Sequence, residues 1–145
     1  MATEQMIGER IRLRIGDDGV ADVRLFRAEK MNALDVAMFQ ALIDTGEMLC
    51  RMPALRAVVI SGEGRAFCAG LDTSRIGQMA SASGSSGPVA GSMSKDITLR
   101  THGWANAAQH ACMVWTQVPV PVIAAVHGVA FGGGLQALLD HFPRG

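Results

Sequence analysis

From Thr101 to Leu139 the chain contains no Asp, Glu, Lys or Arg. An uncharged run of this length belongs in a protein interior or in a bilayer. Its own residues choose between the two. Pro119 and Pro121 interrupt it, Gly132, Gly133 and Gly134 interrupt it again, and Asn106, Gln109, His102, His110 and His127 lie inside it. A membrane span is therefore rejected in favour of buried elements of a globular domain. A helix is expected from about Asp96 to Gln117, and a buried strand over Val120–Val126, its prolines suiting only the strand start. His127-Gly128 begins a turn, and a helix starts again over Leu135–Leu139.

The 145 residues amount to about one domain, taken here as a single unit over 1–145. Hydrophobic residues make up 49% and charged residues 18%, which excludes general disorder. Lys plus Arg and Asp plus Glu both number 13, so the net charge is 0. Neither a nucleic-acid footprint nor a polybasic membrane patch is present, and neither partner is expected. Cys50, Cys68 and Cys112 are odd in number and far apart, which suggests no disulfide framework and no zinc site. MATEQMIGER lacks the apolar core of a secretory signal, so a reducing, cytoplasmic setting is expected.

Ahead of the uncharged run, Ile11, Leu13 and Ile15 alternate with Arg10, Arg12 and Arg14. Asp17-Asp18-Gly19 marks a turn, and Val23 and Leu25 resume the pattern, predicting a β-hairpin. Asp35 reads as the N-cap of a helix carrying Val36, Phe39, Leu42, Ile43 and Leu49, with Gly46 a slight weakness and Pro53 beyond its end. Ala57-Val58-Val59-Ile60 is apolar without alternation, as in a strand covered on both faces. Residues 81–94 are mostly Ser and Gly and read as a flexible loop, either a surface insertion or a mobile lid. Hairpin, helix, strand, loop, helix, strand, loop and helix start together predict an α/β arrangement.

Each apolar strand runs into a glycine loop: Gly62 to Asp72 after the first, His127 to Gly134 after the second. Glycine lets backbone N–H groups approach a ligand closely, and a helix start adds free donors and partial positive charge. Two donors from separate loops suffice to grip one developing oxyanion, although either loop alone also fits a plain structural turn. No G-x-x-x-x-G-K-S/T, no G-x-S-x-G and no G-x-G-x-x-G after a strand occurs, which excludes a P-loop, a hydrolase elbow and a dinucleotide fingerprint.

Three segments, in order, resemble the enoyl-CoA hydratase/isomerase (crotonase) family. They are Glu29-Lys30-Met31-Asn32-Ala33-Leu34-Asp35; Gly64-Arg65-Ala66-Phe67-Cys68-Ala69-Gly70-Leu71-Asp72; and Pro121 to Gly128 running into Phe131-Gly132-Gly133-Gly134-Leu135-Gln136. The resemblance spans about Ile11 to Gln136. It implies a spiral of strand–strand–helix units, present here without its C-terminal part. It also implies proton transfer at an acyl-CoA through a thioester enolate, with coenzyme A as part of the substrate and no other cofactor. By position the oxyanion donors are the N–H groups of Leu71 and Gly133. The resemblance further implies an Ala69 carbonyl facing the CoA adenine, Lys30 near the CoA phosphates, and Gly70 and Asp72 within the substrate loop.

Two departures accompany it. Gln136 stands where family hydratases carry a catalytic Glu, and an amide cannot exchange a proton as a carboxylate does. The tail Ala137 to Gly145 ends where relatives continue toward a second carboxylate and trimer-forming helices, so a shortened reading frame and low activity of this chain alone are expected. Hydratase and isomerase remain equally open. The rival class is an inactive fragment that binds CoA thioesters weakly or packs with a full-length relative, whose homo-oligomer (a trimer or dimer of trimers) is doubtful here. Of the remaining candidates, Asp72 fits a helix cap better than a catalytic acid, Glu63 a solvated turn, Cys68 a buried filler and His127 a structural role. Trp104 and Trp115 read as core.

Overall fold

The alternation over residues 11–25 produces the expected hairpin in a computed structural model, which describes residues 2–75 and 100–134 of the chain. Strand β2 (Ile11–Ile15) lies antiparallel to β3 (Val20–Leu25), with Ile11 opposite Leu25, Leu13 opposite Val23 and Ile15 opposite Ala21. One face of this pair sits in the core, and Arg12, Arg14 and Arg24 stand on the other, as the two-residue period requires. Strand β1 (Thr3–Ile7) pairs antiparallel outside β2. The sequence does not announce it, because its side chains are largely exposed and have no apolar alternation.

Helix α1 (Val36–Cys50) begins as read: the Asp35 carboxylate accepts the Met38 N–H at 2.8 Å. It crosses to β4 (Ala57–Gly62), parallel to β3, and α2 (Ala107–Met113) leads to β5 (Val122–Ala124), parallel to β4. The mixed sheet has the order β1-β2-β3-β4-β5, and Met38, Leu49, Val114 and Trp115 pack with its inner side chains Leu13, Val23 and Val58. No helix among the described residues is long and apolar enough to cross a membrane.

Four expectations need correction. Helix α2 does not begin near Asp96, which lies outside the described residues. It starts at Ala107, where Asn106 and Gln109 form a reciprocal capping box, and a 3-10 turn over Val114–Gln117 continues it. The second apolar strand is short and half exposed, with Ile123 55% accessible. Strand β4 buries Val58 and Ile60, while Val59 on its other face is only half covered. Trp115 is core, but Trp104 is 95% exposed. Residues 81–94 and the helix expected over Leu135–Leu139 lie outside the described residues.

Gly46 is a packing device rather than a weakness. A Cβ there would lie 2.6 Å from Val114 Cγ1, so the missing side chain allows α1 to approach the segment after α2. Gly46→Ala, which in an exposed helix gains up to about 1 kcal/mol, is expected to lose about 1–3 kcal/mol here through overpacking. Urea unfolding of Gly46→Ala and of Gly46→Ala with Val114→Ala checks this, the second change relieving the first.

Candidate active site

The segment between β3 and α1 folds back on itself. The Arg27 N–H donates to Asn32 Oδ1 at 2.8 Å, and the Asn32 N–H donates to the Arg27 carbonyl at 3.0 Å. Met31 and Asn32 both sit at positive φ, 50° and 54°. Asn is one of the few residues with a side chain that enters this region readily. Asn32 is fully buried, and its Nδ2 donates to the carbonyls of Glu63 and Ala66, each at 2.9 Å. It thereby stitches this segment to the first glycine loop.

That loop continues as a short extended stretch between two neighbours. Cys68 faces the second glycine loop: its N–H donates to the Val129 carbonyl at 3.1 Å and its carbonyl accepts the Phe131 N–H at 3.0 Å. The Ala69 N–H turns the other way, to the Met31 carbonyl at 2.9 Å. At Gly70, φ reaches 82°, and the next bonds also go to that side. The Gly70 carbonyl accepts from Leu34 at 2.7 Å, and the Asp72 N–H donates to the Leu34 carbonyl at 3.0 Å. In a trans peptide the carbonyl and the following N–H point oppositely. With the Gly70 carbonyl fixed on Leu34, the Leu71 N–H points away from Leu34.

The second loop comes close at the same place. A Cβ on Gly70 would lie 2.9 Å from the Phe131 carbonyl oxygen, one on Gly133 2.6 Å from Leu34 Cδ1, and one on Gly134 2.6 Å from Cys68 Cβ. At Gly70 and Gly134 only glycine permits the approach, whereas at Gly133 the Leu34 side chain would have to move aside. Among the described residues no acceptor takes the N–H of Leu71 or of Gly133. Gly133 and Gly134 also line an apolar cavity with Leu34, Phe67, Cys112 and Trp115.

Behind the first loop runs a line of charge. Arg10 Nη2 meets Asp35 Oδ2 at 2.9 Å, Arg27 Nη2 approaches the same oxygen at 3.6 Å, and Arg27 Nη1 meets Asp72 Oδ2 at 2.8 Å. The Ser74 hydroxyl and the Arg27 guanidinium bring the Asp72 pKa down to about 2. Burial opposes the charge on Asp35, yet the Arg10 and Met38 hydrogen bonds and the charge of Arg27 outweigh it and hold that carboxyl below its usual range. Asp72 also accepts the Ser74 N–H, capping the turn Thr73–Arg75, which agrees with the cap reading. A carboxylate held so low is a weak base near neutral pH.

Both carboxyl groups titrate lower folded than unfolded. Their stabilisation is complete above the unfolded value near 3.9 and is lost as pH falls through the lower folded values, about 2 for Asp72. The unfolding midpoint in urea is accordingly expected to be flat from pH 7 to about pH 5 and to fall steeply below about pH 4. Asp72→Asn should shallow that decline.

The other sequence candidates divide. Lys30 is exposed and adjoins Met31, whose carbonyl holds Ala69, so Lys30 and Ala69 are neighbours in space. Cys68 is fully buried, its thiol donates to the Asn32 carbonyl at 3.2 Å, and burial pushes its pKa up, as suits a filler. His127 is exposed, yet structural in its contact: Nε2 lies 2.6 Å from the Gly64 carbonyl. Glu63 is half-buried and paired with Arg24 at 3.3 Å rather than freely solvated. Gln136 lies outside the described residues. The sequence reading passes over Arg27 and quotes Asn32 only within the first family-like segment, because a lone Arg and a lone Asn carry no spacing signal of their own. Among the described residues no three His, Cys, Asp or Glu gather to hold a metal ion.

Comparison with known proteins bears on the same segments. Residues 16–139 match the family model described as enoyl-CoA hydratase/isomerase. The chain is 31% identical over 130 residues to the mitochondrial Delta(3,5)-Delta(2,4)-dienoyl-CoA isomerase of Rattus norvegicus, covering 90% of this chain and 38% of that protein. It is 30% identical over 139 residues to the hydroxycinnamoyl-CoA hydratase-lyase of Pseudomonas fluorescens, covering 96% and 46%. The structure superposes on that of an enoyl-CoA hydratase from Mycobacterium smegmatis with a TM-score of 0.70 at 27% identity, covering 92% of this chain and 46% of the other. The chain thus spans less than half the length of these relatives. With a family match across most of its length and the N-terminal part of a crotonase fold beneath it, the chain belongs to the enoyl-CoA hydratase/isomerase family.

Proposed function

We propose that this site takes an acyl-CoA thioester and holds its enolate oxygen between the N–H groups of Leu71 and Gly133, in the manner of an enzyme that hydrates or isomerises enoyl-CoA. The observation that carries the reading is the peptide between Gly70 and Leu71. Its carbonyl is committed to Leu34, so its N–H is turned away from Leu34 and left without an acceptor among the described residues. An enolate oxygen gains charge only as water adds or a proton leaves, so fixed donors favour the transition state over the ground state. The relatives quoted act on CoA thioesters by name, which agrees. The exposed Lys30 beside Ala69 suits the phosphates and adenine of CoA. Asp72, paired and ionised, serves the loop rather than the proton, and the Gln136 amide cannot supply the proton either, so turnover by this chain alone is expected to be low.

Isotope-edited infrared spectroscopy of crotonyl-CoA labelled with carbon-13 at the thioester carbonyl tests the reading. Two donors should lower the carbonyl stretch on binding, and calorimetry should show tighter binding of the thioester than of NAD or ATP. An unshifted carbonyl, or a nucleotide that binds as tightly, would refute it.

A second reading, in which the chain packs on a full-length relative or on itself, is favoured by exposed apolar side chains at Trp104, Ile123, Val126 and Phe131. Sedimentation should then show self-association. A monomer with a sharp, cooperative unfolding transition would remove this reading.

A further inference from the structure

We propose that Arg27 is a positioning residue that fixes the direction of the Leu71 N–H, an inference that rests on the thioester reading above. A single guanidinium nitrogen does the work. Arg27 Nη1 donates to the Ala33 carbonyl at 3.0 Å and to Asp72 Oδ2 at 2.8 Å. Those two residues flank the two sides of one isolated parallel bridge, Leu34 with Leu71. Ala33 precedes Leu34, and Asp72 follows Leu71. The clamp therefore closes across the pair whose peptide carries the donor.

The need for a clamp follows from Gly70. Its φ of 82° turns the chain, and glycine resists rotation there less than any other residue. On its amino side the segment is held by Cys68 and Ala69. On its carboxyl side the hold consists of the Leu34 bonds and the Asp72 carboxylate on Arg27. Swinging the Gly70–Leu71 peptide toward Leu34 would break the Gly70 carbonyl bond and pull Asp72 from the guanidinium together. Arg27 is itself anchored, its side chain 11% exposed, its N–H on Asn32 Oδ1 and its Nη2 beside Asp35. Lysine offers a compact charge in place of a planar fork and cannot reproduce these directions. Arg27 touches neither thioester nor reacting atoms in this account; it acts through Asp72 and Ala33.

The full 145-residue chain is compared with Arg27→Lys and Asp72→Asn, using crotonyl-CoA labelled at the thioester carbonyl and CoA without an acyl group. Far-UV circular dichroism establishes the fold of each. The expected result is a lowered carbonyl stretch in the wild type that is largely lost in folded Arg27→Lys. Thioester affinity should fall about tenfold, the scale of one charge-assisted hydrogen bond, while affinity for CoA itself changes less than about twofold. A purely structural ion pair would lower the unfolding midpoint and leave the stretch of the bound thioester unchanged. Folded Arg27→Lys with the full wild-type shift overturns the positioning role alone. A wild type without any shift overturns the thioester reading and this proposal with it. Asp72→Asn, which keeps the side-chain volume, gives the same decision if Arg27→Lys fails to fold.

Discussion

Asn32→Ala is expected to remove a large part of the stability of this chain. The side chain satisfies three backbone groups: the Ala66 carbonyl in the interior, and the part-buried Arg27 N–H and Glu63 carbonyl. Each group left unpaired in the interior costs about 1–3 kcal/mol, less whatever water enters the gap. Alanine also tolerates the local φ of 54° less well than Asn. The total, on the order of 4 kcal/mol, is a large part of the 5–15 kcal/mol available to a typical domain. Asn32→Asp makes a sharper comparison. It keeps an acceptor for Arg27 but aims a charged oxygen at two carbonyl oxygens, so it should be no more stable than Asn32→Ala. Chemical denaturation followed by circular dichroism measures both. An Asn32→Ala protein within about 1 kcal/mol of wild type would show that the two segments are joined by other means.

Gly70→Ala should remove thioester polarisation while leaving most of the fold in place. A methyl group there meets two obstacles. The backbone φ of 82° is strained for alanine, by about 1–3 kcal/mol. The new Cβ lies 2.9 Å from the Phe131 carbonyl oxygen, backbone that cannot fold away like a flexible side chain. Relief comes from rotating the Gly70–Leu71 peptide or from pushing the second loop outward. Either motion changes the relation between the two proposed donors. The carbonyl stretch of bound crotonyl-CoA should then return toward its free value, and in any catalytically competent form of the site the rate should drop by about 10²–10³, the usual effect of one lost donor. Because the clash is local, the unfolding midpoint should fall by much less than in Asn32→Ala. A Gly70→Ala protein with an unchanged carbonyl shift would separate Gly70 from the donor geometry.

How much of this was written in the sequence depends on the range of the interaction. The hairpin was legible, because Ile11, Leu13 and Ile15 report their own pleat and Gly19 its own turn. The start of α1 was legible, because Asp35 caps a turn only three residues long. The two glycine loops were legible as loops, and their resemblance to a family named Leu71 and Gly133. Strand β1 was not legible, because its place is fixed by backbone pairing to β2 and not by its own side chains. The start of α2 was misplaced because Asn106 and Gln109 cap it in reciprocal fashion, a signal the uncharged run around it hid. Trp104 was misjudged because burial is decided by neighbours and not by hydrophobicity.

Within the site the same boundary holds. Sequence alone determined which glycines sit near the candidate chemistry, since a missing Cβ is a property of the residue itself. Only the tertiary structure decided which way the peptide after Gly70 faces. That direction is set by Leu34, thirty-six positions away from Gly70 along the chain, through the bonds from Leu34 N–H to Gly70 and from Asp72 N–H to Leu34. It also decided what Arg27 and Asn32 do. A guanidinium that ties nearby Ala33 to Asp72, and an amide that ties nearby Arg27 to Glu63 and Ala66, have roles completed only by partners more than thirty positions away, which no local pattern of residues encodes.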